Sequence, residues 1–374
     1  MIIHERNISN MADNILCISK QFKIQGNPIT YKPYGCGHIN DTFLITTDTD
    51  HYYILQKINT NVFRKPAELM KNFADVTSYL RKIILQEGGN PDRETLTLIP
   101  TLDDKNFLEL DEHSWRMTIF IGNTVTLQVV KNPMDFYQAG CAFGKFTRQL
   151  ADYPSHTLYE TIQNFHNTPS RYRDFEAAVA ENATGKAQQV QDEIAFIRAR
   201  RDYTSMFTDM LARKELPLRV THNDTKLNNV LLDAETGTPV AVIDLDTVMP
   251  GLSLYDFGDS IRFGTNPAAE DEQDLTKVFC DLNYFEYFAK GYLSQCGRML
   301  TKNEIEMLPY AGKMMTLECG MRFLADHIAG DKYFKIHREN HNLDRCRTQL
   351  KLVADMEQKL DDMKEIIQNI CKTL

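Results

Sequence analysis

Long apolar runs are missing from this 374-residue sequence. No stretch approaches the roughly 20 consecutive apolar residues that a membrane-spanning helix needs. Cysteine pairs are missing too. The eight cysteines (Cys17, Cys36, Cys141, Cys280, Cys296, Cys319, Cys346 and Cys371) are scattered. None forms C-x-x-C, which argues against a zinc ribbon and against a dense disulfide framework. A basic excess is absent as well, with 42 Lys and Arg against 51 Asp and Glu and a net charge of -9. Nucleic acid and anionic membranes are therefore poor main partners, since binding them draws on counterion release by clustered cations. A local basic pocket for a phosphate is still allowed. There is no internal repeat and no low-complexity segment. The opening M-I-I-H-E-R-N-I-S-N lacks the charged-then-apolar pattern of a secretory leader. These absences lead us to expect a cytoplasmic protein with no membrane, nucleic-acid or obligate protein partner.

What is present is ordinary soluble composition, 43% hydrophobic and 25% charged. The length suggests two domains or one two-lobed domain. A short leading helix is expected over Met11 to Phe22. Ile29 to Thr46 then reads as strand, glycine turn, strand, with Gly35 and Gly37 in the turn. Backbone N–H groups approach phosphates closely where no Cβ intervenes. Asn40 stands where G-x-G-x-x-G would have its third glycine, and Asn tolerates a left-handed backbone. Taken alone, an ordinary hairpin turn explains this equally well. A third strand, His51 to Asn59, carries Lys57 near its end. The helical spacing of Leu69, Phe73, Val76, Leu80 and Ile83-Ile84 predicts a helix after Pro66, with Glu68 and Asp75 as candidate partners for the lysine. Thr95 to Ile121 reads as a strand meander. Phe120 and Ile121 close it, and their backbone groups would bind adenine. The lobe boundary is placed there, giving 1–121 as a β-rich lobe and 122–374 as a mainly helical one.

In the second lobe, helices are expected over Asp135 to Leu150, Val190 to Leu211, Phe279 to Leu293 and Leu343 to Ile370. Another begins at the capping box Thr301-Lys-Asn-Glu304 and reaches about Ile328. Between the second and third of these, Val220 to Gly251 reads as a loop, two short strands and a second loop. His222, Asp224 and Asn229 form H-x-D-x-x-x-x-N, and Asp244 ends the next apolar run. This is the catalytic-loop pattern of kinase-type phosphoryl transfer. Asp224 would accept or hold the acceptor's hydroxyl proton. Asn229 and Asp244 offer hard oxygen ligands suited to Mg2+. Asp246, two residues on in an extended segment, would share a face with Asp244 as a second ligand or a supporting acid. His222 would brace the loop. Lys226 reads as a solvated lysine or as a γ-phosphate contact. Each match alone is weak, because Asp and Asn are common in turns. The order of a β lobe, this motif, a hairpin and then Ile-Asp is much more specific. His337 to His341 carries its glutamate at the wrong place for a zincin motif.

T-H-N-D-T-K-L-N-N-V-L-L-D with V-I-D-L-D-T-V-M-P-G resembles the aminoglycoside phosphotransferase-like kinases, and within them the N-acetylhexosamine 1-kinases. Residues 37–42, 53–63, 318–324 and 330–334 carry the same resemblance, which covers roughly 30 to 360. It implies an α+β, two-lobed, protein-kinase-like fold with a small antiparallel-sheet N-lobe and a larger, mainly helical C-lobe. It implies an enzyme that moves the γ-phosphate of ATP, with Mg2+, onto the anomeric hydroxyl of N-acetylglucosamine or N-acetylgalactosamine. Asp224 would be the base at the sugar O1. His38, Arg322 and Tyr333 would reach the sugar, and Lys57 would meet the nucleotide phosphates. Glu318 and Asp326, four residues either side of Arg322, equally suit a surface ion ladder. Tyr333 equally suits an apolar core. Other readings are a same-fold kinase of an aminoglycoside, choline or homoserine, a catalytically silent nucleotide-binding scaffold, or a structural helical protein.

Overall fold

A computed structural model of the chain describes residues 15–35 and 39–374. Cys36, Gly37 and His38 lie outside them, and so do residues 11–14 of the expected leading helix. Helix is seen at residues 15–19. The chain divides into two compact units, Met1–Thr124 and Val125–Leu374.

The first unit is built on an antiparallel sheet. Its strands are β1 (Pro28–Pro33), β2 (Asp41–Thr47), β3 (Tyr52–Ile58), β4 (Leu98–Ile99), β5 (Leu108–Leu110) and β6 (His113–Ile119). The order is β1-β2-β3-β6-β4, with β5 pairing on β6. Side chains alternate across a strand, and both faces of this sheet are covered. Ile45, Tyr53, Leu55, Trp115 and Met117 pack with Ile15, Ile18 and Phe22 on one face. On the other, Arg116 bonds Gln56 at 2.9 Å. Its guanidinium lies 4.4 Å from the ring centroid of Phe73, on helix α1 (Pro66–Gln86). The meander between Thr95 and Ile121 therefore has two turns. One falls at Leu102 to Asp104, and the second at Asp111 and Glu112, both with positive φ.

The second unit is mainly helical. Its helices are α2 (Pro133–Gln149), α3 (Thr168–Glu181), α4 (Gln191–Arg198), α5 (Ser253–Gly264), α6 (Leu282–Cys296), α7 (Lys302–Ala329), α8 (His341–Gln358) and α9 (Leu360–Cys371). Two expected helices are broken. The Val190 to Leu211 stretch stops at Arg198, tightens into a 3-10 turn over Arg201–Ser205 and resumes at Met206. The last long helix breaks at Lys359. Periodicity alone runs across such breaks because the apolar face barely rotates. The aromatic-rich stretch after Tyr153 contains α3, which its polarity concealed. It is capped by Asn167, whose side chain accepts from the Ser170 N–H.

Helix α7 is the axis of this unit. Leu317, Met321, Leu324 and Ile328 meet Phe175, Ile194, Ile197 and Val353 in one apolar cluster. Its capping box forms as the sequence indicates. Glu304 does more than cap. Buried to 1% exposure, it takes both arms of Arg219 at 2.6 and 2.7 Å and the Ser253 hydroxyl at 2.7 Å. Arg219 opens strand β7 (Arg219–Thr221), which leads into the catalytic-loop motif. The start of α7 thus fixes one end of that loop.

Candidate active site

Strand β7 pairs antiparallel with β10 (Met249–Gly251). Between them lies the hairpin β8 (Val230–Asp233) and β9 (Pro239–Val242). The two strand pairs bring the His222–Asn229 loop and the Asp244–Thr247 turn together. Thr247 Oγ1 donates to the His222 carbonyl at 2.6 Å, and Asn223 Nδ2 donates to the Thr247 carbonyl at 2.8 Å.

Helix α5 supplies the anchor. Both oxygens of buried Asp256 accept backbone N–H groups, from His222 at 2.8 Å and Asn223 at 2.7 Å. Burial raises the Asp256 pKa, with His222 and these two donors opposing it. The sequence reading missed this residue, and its only sequence signal is an Asp in the first turn of an apolar helix. Asn223 takes a positive φ of 65°, a conformation Asn accepts more readily than most residues. The His222 side chain is fully buried. Its Nε2 donates to the Ile243 carbonyl at 2.8 Å, and its Nδ1 accepts the Asp224 N–H at 3.3 Å. Those bonds fit the Nε2–H tautomer and a bracing residue between the two loops.

Asp224 is held from both sides. Oδ1 lies 2.8 Å from Lys226 Nζ, and Asn229 Nδ2 reaches Oδ2 at 3.3 Å and the Asp224 carbonyl at 2.8 Å. Burial pushes the Asp224 pKa up, but Lys226, with His222 and Arg262, more than offsets this and holds it below the usual carboxylate range. Asp224 in turn raises the lysine. Lys226 is therefore an ion-pair partner of Asp224 rather than a solvated side chain.

The Asn229 amide nitrogen faces Asp224, so its oxygen is not engaged by that carboxylate. Asp244 is exposed, with a left-handed backbone at φ 60° and ψ 53°. The segment beyond it is not extended, since Leu245–Thr247 forms a 3-10 turn. Asp246 accordingly points inward at 3% exposure while Asp244 points out, so the two do not share a face. The donor set suits magnesium, which is commonly held by one or two protein oxygens together with phosphates and waters.

Arg322, on α7, does not form the ion ladder its spacing allows. Glu318 turns inward to His166 and Thr168 at 2.8 and 2.6 Å. Asp326 accepts the backbone N–H groups of Lys332, Tyr333 and Phe334 at 2.8 to 2.9 Å. Among the described residues no carboxylate pairs with Arg322. Its guanidinium lies 5.5, 5.9 and 5.5 Å from the ring centroids of Phe165, Tyr333 and Phe334. Tyr333 is 64% exposed, so it is not a core aromatic. Arg322 and Tyr333 are brought together.

In the first unit, Gly35 has φ 82° with open space around a Cβ, so what the position requires is backbone sign rather than room. Asn40 is not left-handed. Its Oδ1 accepts the Asn59 N–H at 2.9 Å, tying the turn to the end of β3. Lys57 faces Trp115, 5.9 Å from its ring, on the sheet face opposite Gln56, Arg116 and α1. Neither acid on α1 reaches it: Glu68 pairs with Lys65 and Asp75 with Lys71. Phe120 N–H donates to the Tyr52 carbonyl at 3.1 Å, and the Ile121 carbonyl accepts from Thr124 at 2.9 Å. Among the described residues the Phe120 carbonyl and Ile121 N–H are left over, one acceptor and one donor.

Comparison with known proteins agrees with this chemistry. A model of the phosphotransferase enzyme family matches residues 30–286. Among solved structures, a microcompartment-associated aminopropanol kinase is 16% identical, with a TM-score of 0.57 over 94% of this chain and 98% of its own. A choline kinase from Cryptosporidium parvum Iowa II is 16% identical, with a TM-score of 0.57 over 96% and 97%. An amicoumacin kinase in complex with AMP-PNP, Ca2+ and Ami is 12% identical, with a TM-score of 0.59 over 94% and 93%. At these identities the likeness shows the fold, which is the protein-kinase-like α+β fold.

Proposed function

This chain belongs to the phosphotransferase enzyme family, and from that premise we propose that it is an ATP-dependent kinase acting on the anomeric hydroxyl of N-acetylhexosamines. The observation that carries the acceptor class is the Arg322 guanidinium, which has aromatic neighbours and no carboxylate partner among the described residues. Such a group donates up to five hydrogen bonds to hydroxyl and carbonyl oxygens and repels cationic amines. A neutral sugar with an N-acetyl carbonyl meets both conditions, and the exposed Tyr333 ring can stack on its apolar face.

Asp224 takes the role of base. Held ionised by Lys226 and aimed by Asn229, it orients the acceptor hydroxyl and receives its proton as the O–P bond forms. Phosphoryl transfer has a loose transition state, so positioning and charge neutralisation do most of the work. Asn229 and Asp244 would hold Mg2+, which, when bound, neutralises charge on the phosphate oxygens. The first unit would carry the nucleotide, with Phe120 and Ile121 on the adenine. Lys57 is a weak candidate for the phosphates because its ammonium lies beside Trp115. His38 is kept as a sugar contact by resemblance. The cation found in the amicoumacin kinase complex is calcium, and magnesium here is part of the proposal.

The test is purified protein with ATP, Mg2+ and a panel of N-acetylhexosamines, plain hexoses, amino alcohols and aminoglycosides, read by phosphorus NMR. Anomeric phosphate on an N-acetylhexosamine is the expected product. Transfer only to a cationic acceptor would overturn the sugar assignment while leaving the enzyme a phosphotransferase.

A further inference from the structure

The loop that carries Asp224 is gripped from a side that the kinase motif does not include. His166, just before α3, has a side chain 7% exposed, and that of Glu318 is 1% exposed. Its Nδ1 lies 2.8 Å from Glu318 Oε1 and its Nε2 lies 3.0 Å from the Asn223 carbonyl. A carboxylate and a peptide carbonyl are both acceptors, so both ring nitrogens must donate. The second Glu318 oxygen is occupied by the Thr168 hydroxyl at 2.6 Å. The ring is flanked by Phe165 and Tyr255, with centroids at 4.5 and 5.4 Å.

We infer that His166 is a positioning residue held as an imidazolium, which fixes the Asn223 peptide and so aims Asp224, and that Glu318 ties this grip to the helix carrying Arg322. Asn223 is clamped at both ends: its N–H goes to Asp256 and its carbonyl to His166. With its backbone in the left-handed region, losing one clamp frees the following residue to move. Glu318 stands one helical turn before Arg322, and the Phe165 ring touched by Arg322 adjoins His166 in sequence. Arg322 thus shares helix α7 with Glu318 and packs on the ring of Phe165, next to His166. The inference rests on Asp224 being the base, not on the identity of the acceptor.

The charged and titratable groups facing the ring are Glu318 from α7 and Tyr255, Asp256 and Asp259 from α5. Burial lowers the His166 pKa, but Glu318, the Asn223 carbonyl and Asp259 together outweigh it and the net direction is upward. Activity carried by the imidazolium is present below that raised pKa and is lost as pH rises through it.

Two measurements test this. Long-range 1H–15N spectra of protein labelled at histidine ring nitrogens, with His166 assigned by its loss in His166→Gln, should show both nitrogens protonated at pH 7. A neutral ring would overturn the proposal whatever the acceptor proves to be. With the acceptor found by the panel, His166→Gln should lower kcat about 100-fold with acceptor KM moved less than threefold, and the basic limb of the wild-type profile should vanish. In Glu318→Gln that limb should shift to lower pH. An unchanged limb in both variants, or kcat within twofold of wild type in a folded His166→Gln, would refute the assignment. If His166→Gln does not fold, the ring signals that move in Glu318→Gln identify His166, and the wild-type spectra with the Glu318→Gln profile still decide. If the panel yields no acceptor, the sugar reading fails while the ring spectra still decide the state of His166.

Discussion

Asp224 is the residue on which the chemistry turns, and its neighbours make specific demands. Asp224→Asn keeps the shape and removes the base. It should lower kcat by about 1,000-fold, within the range general-base catalysis contributes, with nucleotide affinity by calorimetry moved less than twofold. Near-normal turnover would remove Asp224 from its role. Lys226 holds the Asp224 pKa down, so Lys226→Met should raise it. Activity needs the carboxylate, so the acidic limb of kcat/KM should move to higher pH, and an unmoved limb would contradict the pairing. Much at this scale was legible in the sequence: His222, Asp224 and Asn229 fall together as their spacing indicates. Other features were hidden for physical reasons. His166 meets Glu318 across 152 positions, and no local pattern marks such a pair. Lys57 was visible as a strand lysine, but with both sheet faces covered its neighbours read as apolar on either side. Which face it occupies is set by packing.

At the scale of elements, the first turn of α7 organises more than its length suggests. Burial pushes the Glu304 pKa up, but the Arg219 fork outweighs it and the net direction is downward. Stability from that pair is present above the unfolded carboxylate value of about 4.3 and is lost as pH falls through the lower folded value. Glu304→Gln should therefore cost about 3–5 kcal/mol at neutral pH, since one charge of a buried pair is left alone. The deficit should shrink on acidification, measured by urea unfolding at several pH values. Helices α2 and α6 make a different demand. A Cβ at Gly140 or Gly144 would run into the backbone of Phe288 or Tyr292, so the helices meet almost backbone to backbone. Gly140→Ala should destabilise by about 1–3 kcal/mol, as overpacking does, and an unchanged urea midpoint would show that the helices can separate freely. The capping box was legible as a helix start. The breaks at Arg198 and Lys359 were not, because neither Pro nor Gly marks them.

For the whole molecule, ligand binding should appear as stability. A ligand that binds only the folded state stabilises by about 2.7 kcal/mol at 100 times its Kd. A non-hydrolysable ATP analogue with Mg2+ should raise Tm, and chelation should remove most of the rise. Asp244→Asn should remove the magnesium-dependent part and spare the rest, because Asn tolerates the left-handed backbone that Asp244 occupies. A full magnesium-dependent shift in that variant would discard Asp244 as a ligand. The fold class was legible at this scale, from a β-rich first third followed by helices.

Trp115 is the sequence's one tryptophan, 5% exposed in the core of the first unit. Selective excitation of its indole therefore gives an optical report on that unit alone. Far-ultraviolet circular dichroism is dominated by the helices of the second unit. Two instruments on one sample can follow the halves separately, with no label introduced. Coincident melting curves would mean one cooperative transition, and separated curves would reveal which half yields first.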